Sequence, residues 1–484
     1  SADNARLVAW RFVPSSSHLA TPHSVWAEPD VDDLTAALLE AVRFGARNSA
    51  TGVATVDALF GSAGFVRRLT QAALAVLLAP PPTPVRVGWI STWGVRCGVA
   101  EYSRHLLRHL PASPAVAEIV VLADRRSIAA AADENAIRVR PAWEIGHPDG
   151  VAGLLAAVVQ EDPQVVVVQH QPGLFGWGVL AQLLAGIAGR TVVVTLHNTR
   201  DILDMTQSER SLALATLSGV SRVVVHTITD LNRFSELGLV DNVTLLPHGV
   251  PEPASDAPAR TLSHSASPVD AGPLIGSYGF FLPDKGLREL VSAFALLRRD
   301  WPGARLRLVN AEYDAPESAV EIAACRAIAA RTGVAEAIEW CTDFLPDARS
   351  LELLAACDVV VLPYQRSKEA SSAALRMALA SGAPVLATDL PLFDEAASAI
   401  ARCASGSDSA LAAALSELLA DQPMRAELQE AGRAWLGERQ WGDIARRLQG
   451  MLLGLAAQQG VPRNPVVCPE IMDAADERSV ARAE

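Results

Sequence analysis

The sequence predicts an α/β protein built from two doubly wound parallel-sheet domains that face each other across a cleft. Three observations carry this. Short β-branched runs alternate with amphipathic segments from residue 84 onward, which is how buried parallel strands and their covering helices read. The alternation stops at 251–273, a stretch rich in Pro, Ser and Ala without apolar periodicity, and then resumes. Several strand candidates end in polar residues, and in open α/β sheets ligands sit beyond the carboxyl ends of the strands.

In chain order, the first strands are expected at Val85–Ser91, Glu118–Ala123, Gln164–Gln169, Thr191–Leu196, Arg222–His226 and Val243–Pro247. Helical stretches such as Val99–Leu110 and Leu212–Ser218 lie between them. These define an expected first domain at 84–250, followed by a linker at 251–273. The second run, Leu274–Phe281, Arg305–Asn310, Ala337–Cys341, Asp358–Pro363 and Pro384–Thr388, defines a domain at 274–455. Residues 1–80 read as an extra, mainly helical segment. Its order from Asp30 to Leu78, with Arg67-Arg68-Leu69, parallels Asp408–Leu455, with Arg446-Arg447-Leu448. The segment is therefore expected to be the closing tail of an upstream sister domain. Residues 459–484 have little periodic apolar content and are expected to be disordered.

Composition narrows the function. A formal charge of −13 argues against a nucleic-acid partner, because phosphate-tracking proteins need basic surface. Residues 84–255 hold 13 arginines against 16 acidic residues and no lysine, which is not a strong basic face for a membrane, although a local patch for peripheral contact is left open. Six scattered cysteines without CxxC spacing read as buried small hydrophobes in a reducing compartment, not as a metal cluster. No apolar run reaches transmembrane length. The expected location is the cytoplasm, with the inner face of the membrane as an option.

Only two of the 41 basic side chains are lysine, Lys285 and Lys368. A lysine kept in such a background suggests a task for a compact ammonium. Lys285 lies in Gly-Phe-Phe-Leu-Pro-Asp-Lys-Gly (279–286), an anion-binding type of turn between a strand and a helix start, where it would reach a phosphate. Lys368 precedes Glu369 in the loop after Asp358–Tyr364, ahead of a helix capped by Ser371 or Ser372. In the first domain, Gly98 opens a helix directly after a strand, which suits close approach of a phosphate, or simply the turn itself. His170 and His197 stand at carboxyl ends of adjacent strand candidates, with Gln171 and Arg200 beside them; buried structural histidines are the competing reading.

Taken together, these segments resemble the retaining glycosyltransferases of family 4 (glycosyl transferases group 1 type). The first half matches in Gly98-Val-Ala-Glu101-Tyr-Ser, Thr195-Leu-His197-Asn-Thr and Leu246-Pro-His248-Gly249-Val. The second matches in Gly279…Pro283-Asp-Lys285-Gly286, Asp358…Leu362-Pro363-Tyr364, Glu369-Ala-Ser-Ser and Ser381-Gly382-Ala-Pro384-Val. The resemblance implies a GT-B fold of two Rossmann-like domains and transfer of a sugar from a nucleoside-diphosphate donor to a glycan or glycolipid hydroxyl, with retention, without a bound metal or cofactor, in polysaccharide or glycoconjugate biosynthesis. It implies catalytic roles for His197, Lys285 and Glu369 and donor contacts from Gly98, Gly279, Lys285, Tyr364, Glu369, Ser371 and Ser372. Glu101, His170, Gln171 and Arg200 are the acceptor-side candidates. Two positions depart from the pattern: Phe280 stands where the family commonly has arginine, and Met377 where it commonly has a second glutamate. They motivate an alternative, a non-catalytic nucleotide-sugar-binding or scaffolding domain of a tandem transferase. A sugar-nucleotide epimerase of the same fold ranks third.

Overall fold

The computed structural model describes residues 6–15, 23–44, 66, 70, 84–95, 97–110, 116–125, 137–144, 150–250, 272–367, 369 and 371–457. The expected linker up to 271, the second half of the N-terminal tail, Lys368, Cys468 and the stretch 459–484 lie outside the described residues.

The chain opens with an antiparallel hairpin, β1 (Trp10–Pro14) and β2 (Val25–Pro29), and one helix, α1 (Val31–Phe44). The helix agrees with the sequence reading; the hairpin does not, because its two strands are five residues each and mostly exposed.

The first α/β unit then runs β3 (Val85–Ser91), α2 (Gly98–His109), β4 (Val116–Asp124), β5 (Ile137–Trp143), α3 (Gly150–Glu161), β6 (Val165–His170), α4 (Trp177–Gly186), β7 (Thr191–Leu196), α5 (Gln207–Ser218), β8 (Arg222–Val225), α6 (Ile228–Glu236) and β9 (Val243–Leu245). Its seven strands are parallel in the order β5-β4-β3-β6-β7-β8-β9. Every residue of β6 and β7 is buried, which requires helices on both faces. Edge strand β5 escapes the sequence reading because Pro141 and the alternating Arg138 and Arg140 break its apolar pattern, features that an edge strand tolerates. The N-terminal hairpin is pinned to α6, where the Asn232 side chain accepts from the Phe12 amide at 2.7 Å and donates to the Phe12 carbonyl at 2.9 Å.

The second unit comprises β10 (Leu274–Phe280), α7 (Leu287–Leu297), β11 (Arg305–Ala311), α8 (Pro316–Thr332), β12 (Ile338–Cys341), α9 (Asp347–Ala355), β13 (Val359–Leu362), α10 (Ala373–Ala380), β14 (Val385–Thr388), β15 (Ala401–Cys403), α11 (Asp408–Ala420), α12 (Gln422–Gly437) and α13 (Trp441–Ala457). Six parallel strands follow the order β12-β11-β10-β13-β14-β15. The unanticipated β15 has only three residues, too few for a periodic signal.

The last helix does not stay with this sheet. Trp441, Ile444, Ala445, Leu448, Leu452 and Leu455 form one buried stripe and pack with Val87, Trp89, Tyr102 and Leu106 of the first unit. At about 1.5–3 kcal/mol for each large apolar side chain buried, the stripe is ample to hold the crossing. A parallel bridge between Val250 and Gln440, with the Val250 amide donating to Arg439 O at 2.8 Å, ties the two crossover points together. Residues 441–455, which the sequence reading groups with the second domain, thus complete the core of the first.

Candidate active site

In each sheet the strand order reverses beside the first strand, between β3 and β6 and between β10 and β13, and the crevices at those carboxyl ends are where such folds take ligands. In the second unit, Gly279 sits there with φ 140°, a conformation that favours glycine, and a side chain would point toward Asn310 Nδ2 and the Tyr364 hydroxyl. Asn310, at the end of β11, is buried with no hydrogen-bond partner for its Oδ1. After β10 a one-turn 3-10 segment, Pro283–Lys285, is closed by Gly286 at φ 72°. A Cβ at Gly286 would lie 1.8 Å from Pro363 O, so this glycine is required both by backbone angle and by space.

That tight turn aims Lys285 along the crevice. Its Nζ lies 3.2 Å from each carboxylate oxygen of Glu369 and 4.1 Å from the centre of the Tyr364 ring. The lysine side chain is 13% exposed while Glu369 is 54% exposed, so a mostly buried ammonium meets an exposed carboxylate. Burial disfavours the charged amine, yet Tyr364 and Glu369 outweigh it and hold the Lys285 pKa above the ordinary lysine value. Tyr364 is itself fixed from behind, where Thr388 donates to its carbonyl at 2.6 Å. Ser372 caps α10 by accepting from the Leu375 amide at 3.1 Å, and Ser371 accepts from Arg376 at 3.2 Å.

The first unit places His197 beside Tyr102 at the carboxyl end of β7. Its Nε2 is 2.8 Å from Gln169 Oε1, a contact that leaves Nδ1 with its lone pair. His226 and His248 join it around Tyr102, whose ring centroid is 4.9, 5.3 and 4.7 Å from the three imidazoles. Burial drives the His226 pKa down to about 4 and those of His197 and His248 well below the usual value, so all three are neutral at pH 7. Arg200 reaches across to the second unit and donates to Ser367 O at 3.3 Å.

The other candidates are placed differently. Gly98 is the first residue of α2, and a Cβ there would meet nothing within 4 Å. Glu101 is held by Arg104 and lies beside His105, which contacts Asp347 of the second unit at 3.0 Å. His170 is fully buried against Phe175 and Trp177, behind the Gln169–His197 pair. Gln171 accepts from the Leu174 amide at 2.8 Å and shapes the turn after β6. Phe280 packs against Tyr313 and Phe344, and Met377 is buried in the core, so neither takes a polar role.

Two groups escaped the sequence reading. Tyr102 stands inside the Gly98–Ser103 motif, but its contact with three histidines depends on three separate strands. The buried Arg376 makes a two-pronged pair with Glu395, both contacts 2.8 Å, and the 19-residue gap between them conforms to no local pattern.

Comparison with known proteins places this geometry in context. Residues 261–435 match the family model of glycosyl transferases group 1. A 2-deoxystreptamine glucosyltransferase of Streptomyces kanamyceticus is 28% identical over 298 residues, covering 57% of this chain and 73% of that protein. Sucrose-phosphate synthase from Thermosynechococcus elongatus superposes with a TM-score of 0.61 at 16% identity, over 77% of this chain and 99% of its own. Anabaena HepE in complex with UDP and glucose gives 0.59 at 16% identity, over 76% and 100%. The fold is GT-B, as the sequence predicted.

Proposed function

We propose that this chain is a retaining glycosyltransferase that moves a sugar from a nucleoside-diphosphate donor to a hydroxyl of a glycan or glycolipid acceptor. The observation that carries the reading is Lys285, a mostly buried ammonium held by Tyr364 and Glu369 at the switch point of a unit whose sequence matches glycosyl transferases group 1. The glucosyltransferase relative and the HepE complex with UDP and glucose support a nucleotide-sugar donor.

In this reading the donor diphosphate lies over Gly279 and the start of α10. As the bond between the anomeric carbon and the phosphate oxygen breaks, negative charge grows on that oxygen and the Lys285 ammonium neutralises it, a preorganised interaction that strengthens in the transition state. The acceptor hydroxyl attacks from the face the nucleotide leaves, and its proton passes to the departing phosphate oxygen. Glu369, released from Lys285 by the phosphate, accepts hydrogen bonds from donor-sugar hydroxyls. His197, neutral and oriented by Gln169, lines the sugar pocket from the opposite unit.

The test is incubation with a panel of nucleotide sugars and candidate acceptors, read by mass spectrometry, with product configuration assigned by NMR. Transfer with retention supports the proposal; an inverted product refutes retention. Binding without turnover would favour the scaffolding alternative, which the apolar packing of Phe280 and Met377 keeps in view. No helix among the described residues is long and apolar enough to cross a membrane.

A further inference from the structure

The glycosyl-transfer reading uses only one of the three histidines around Tyr102. One ring nitrogen from each of His197, His226 and His248 lies within 4.8 Å of the others. They come from the carboxyl ends of three consecutive strands of one sheet, and Tyr102 buttresses all three rings. Hydrogen bonds fix two of the tautomers. His226 Nδ1 donates to Leu246 O at 2.9 Å, leaving Nε2 as a lone-pair donor, and that atom is buried with no hydrogen-bond partner. His197 Nε2 faces Gln169 Oε1, leaving Nδ1 free in the same sense. A carbonyl or amide oxygen on the far nitrogen is the arrangement that metal-binding imidazoles ordinarily have.

We propose that His197, His226 and His248 form a three-imidazole site for a divalent transition-metal cation of the zinc class. His226 is 2% exposed and closes the back, while His197 and His248 are part-exposed, so the fourth position faces the cleft. Three histidines with one open position is a recurrent zinc arrangement, and imidazole also suits cobalt, nickel and copper. Nitrogens around tetrahedral zinc are about 3.3 Å apart, so the ligand atoms must converge by roughly 1.5 Å at most, which calls for χ rotation of the three rings from their 4.0, 5.1 and 5.9 Å centroid separations. Among the described residues, the cation that acts on His226 and His248 is Arg376, and its Nη2 donates to both Glu395 oxygens, which offsets its charge.

The test is titration of the metal-stripped full chain with Co²⁺, read by visible absorption, and with Zn²⁺, read by calorimetry. One ion per chain is expected, with the intense d–d bands of tetrahedral cobalt. His226→Phe and, separately, His248→Asn should each weaken binding at least 100-fold. His248→Asn keeps the test valid if His226→Phe fails to fold, since its ring is part-exposed. Absence of saturable uptake overturns the proposal, as does uptake unchanged in both variants. Loss of uptake in His105→Asn alone also overturns it, because the ion would then sit at Glu101, His105 and Asp347, the other convergent group among the described residues. These readouts report metal uptake and not glycosyl transfer, so failure of the site leaves the transferase reading, which also uses His197, to its own assay.

Discussion

Replacing Lys285 with alanine tests the chemistry most directly. The ammonium is 13% exposed, 3.2 Å from both Glu369 oxygens and 4.1 Å from the Tyr364 ring centre. A phosphate oxygen arriving at a similar distance would gain about 4 kcal/mol at an effective dielectric constant of about 20. Part of that gain is offset because the lysine must loosen its contact with Glu369. The loss on removing one preorganised donor to a developing oxyanion is about 3–4 kcal/mol, which corresponds to a fall in kcat of about 10²–10³. Because the charge matters most as the bond breaks, nucleotide affinity should fall much less than kcat. Lys285→Arg should recover less than a tenth of the activity, since a planar fork cannot take the place of a compact ammonium between Tyr364 and Glu369. The assay is donor-dependent nucleotide release under saturating donor, alongside calorimetry with the nucleoside diphosphate. Turnover of Lys285→Ala within threefold of wild type would refute the role assigned to this residue.

Four other outcomes follow from the same structure. Gly286→Ala should cost at least ~3 kcal/mol in denaturant unfolding, because the new Cβ meets Pro363 O at 1.8 Å in a left-handed residue; an unchanged midpoint would show that the turn can relax. Gly249→Ala places a Cβ 2.1 Å from the Trp441 ring and should loosen α13 from the first unit, seen as faster amide exchange across 441–457. Arg376→Ala leaves the largely buried Glu395 carboxylate without its partner and should destabilise by up to about 3 kcal/mol in the same unfolding assay. Burial drives the His226 pKa to about 4, against an ordinary value of 6.5, so between those pH values the unfolded chain binds a proton the native state refuses. Stability should therefore be fully present above pH 6.5 and decline as pH falls toward 4, by at most ~3 kcal/mol from this imidazole. His226→Phe should flatten that part of the profile.

The fold was largely legible because fully buried parallel strands write continuous apolar runs: Thr191–Leu196 and Val85–Ser91 appear in the structure with the bounds read from sequence. Legibility failed at the edges. Strand Ile137–Trp143 carries Pro141 and two arginines, and its place in the sheet comes from pairing with β4 and not from pattern. The turn that carries Lys285 was legible because its chemistry is local. Gly279 ends a strand just before the turn that holds Lys285 and Gly286, and the pair Ser371-Ser372 announces a helix that Ser372 caps. The Lys285–Glu369 contact spans 84 residues, and the sequence showed only that each is unusual where it stands. His170 and His197 read alike as histidines at strand ends, yet one is fully buried against Phe175 and Trp177 and the other is part-exposed against Tyr102.

By itself, then, the sequence determined the two parallel sheets, the polar strand ends and the lysine turn, because periodicity, turn chemistry and capping act over a few residues. Tertiary structure alone decided which sheet the last helix covers, which histidines converge on Tyr102, and that Arg376 meets Glu395. Those choices depend on how separate layers pack, and burial strips the partners of any alternative. A stripe such as Trp441–Leu455 states that it must be covered, and the facing surface of the first unit decides where.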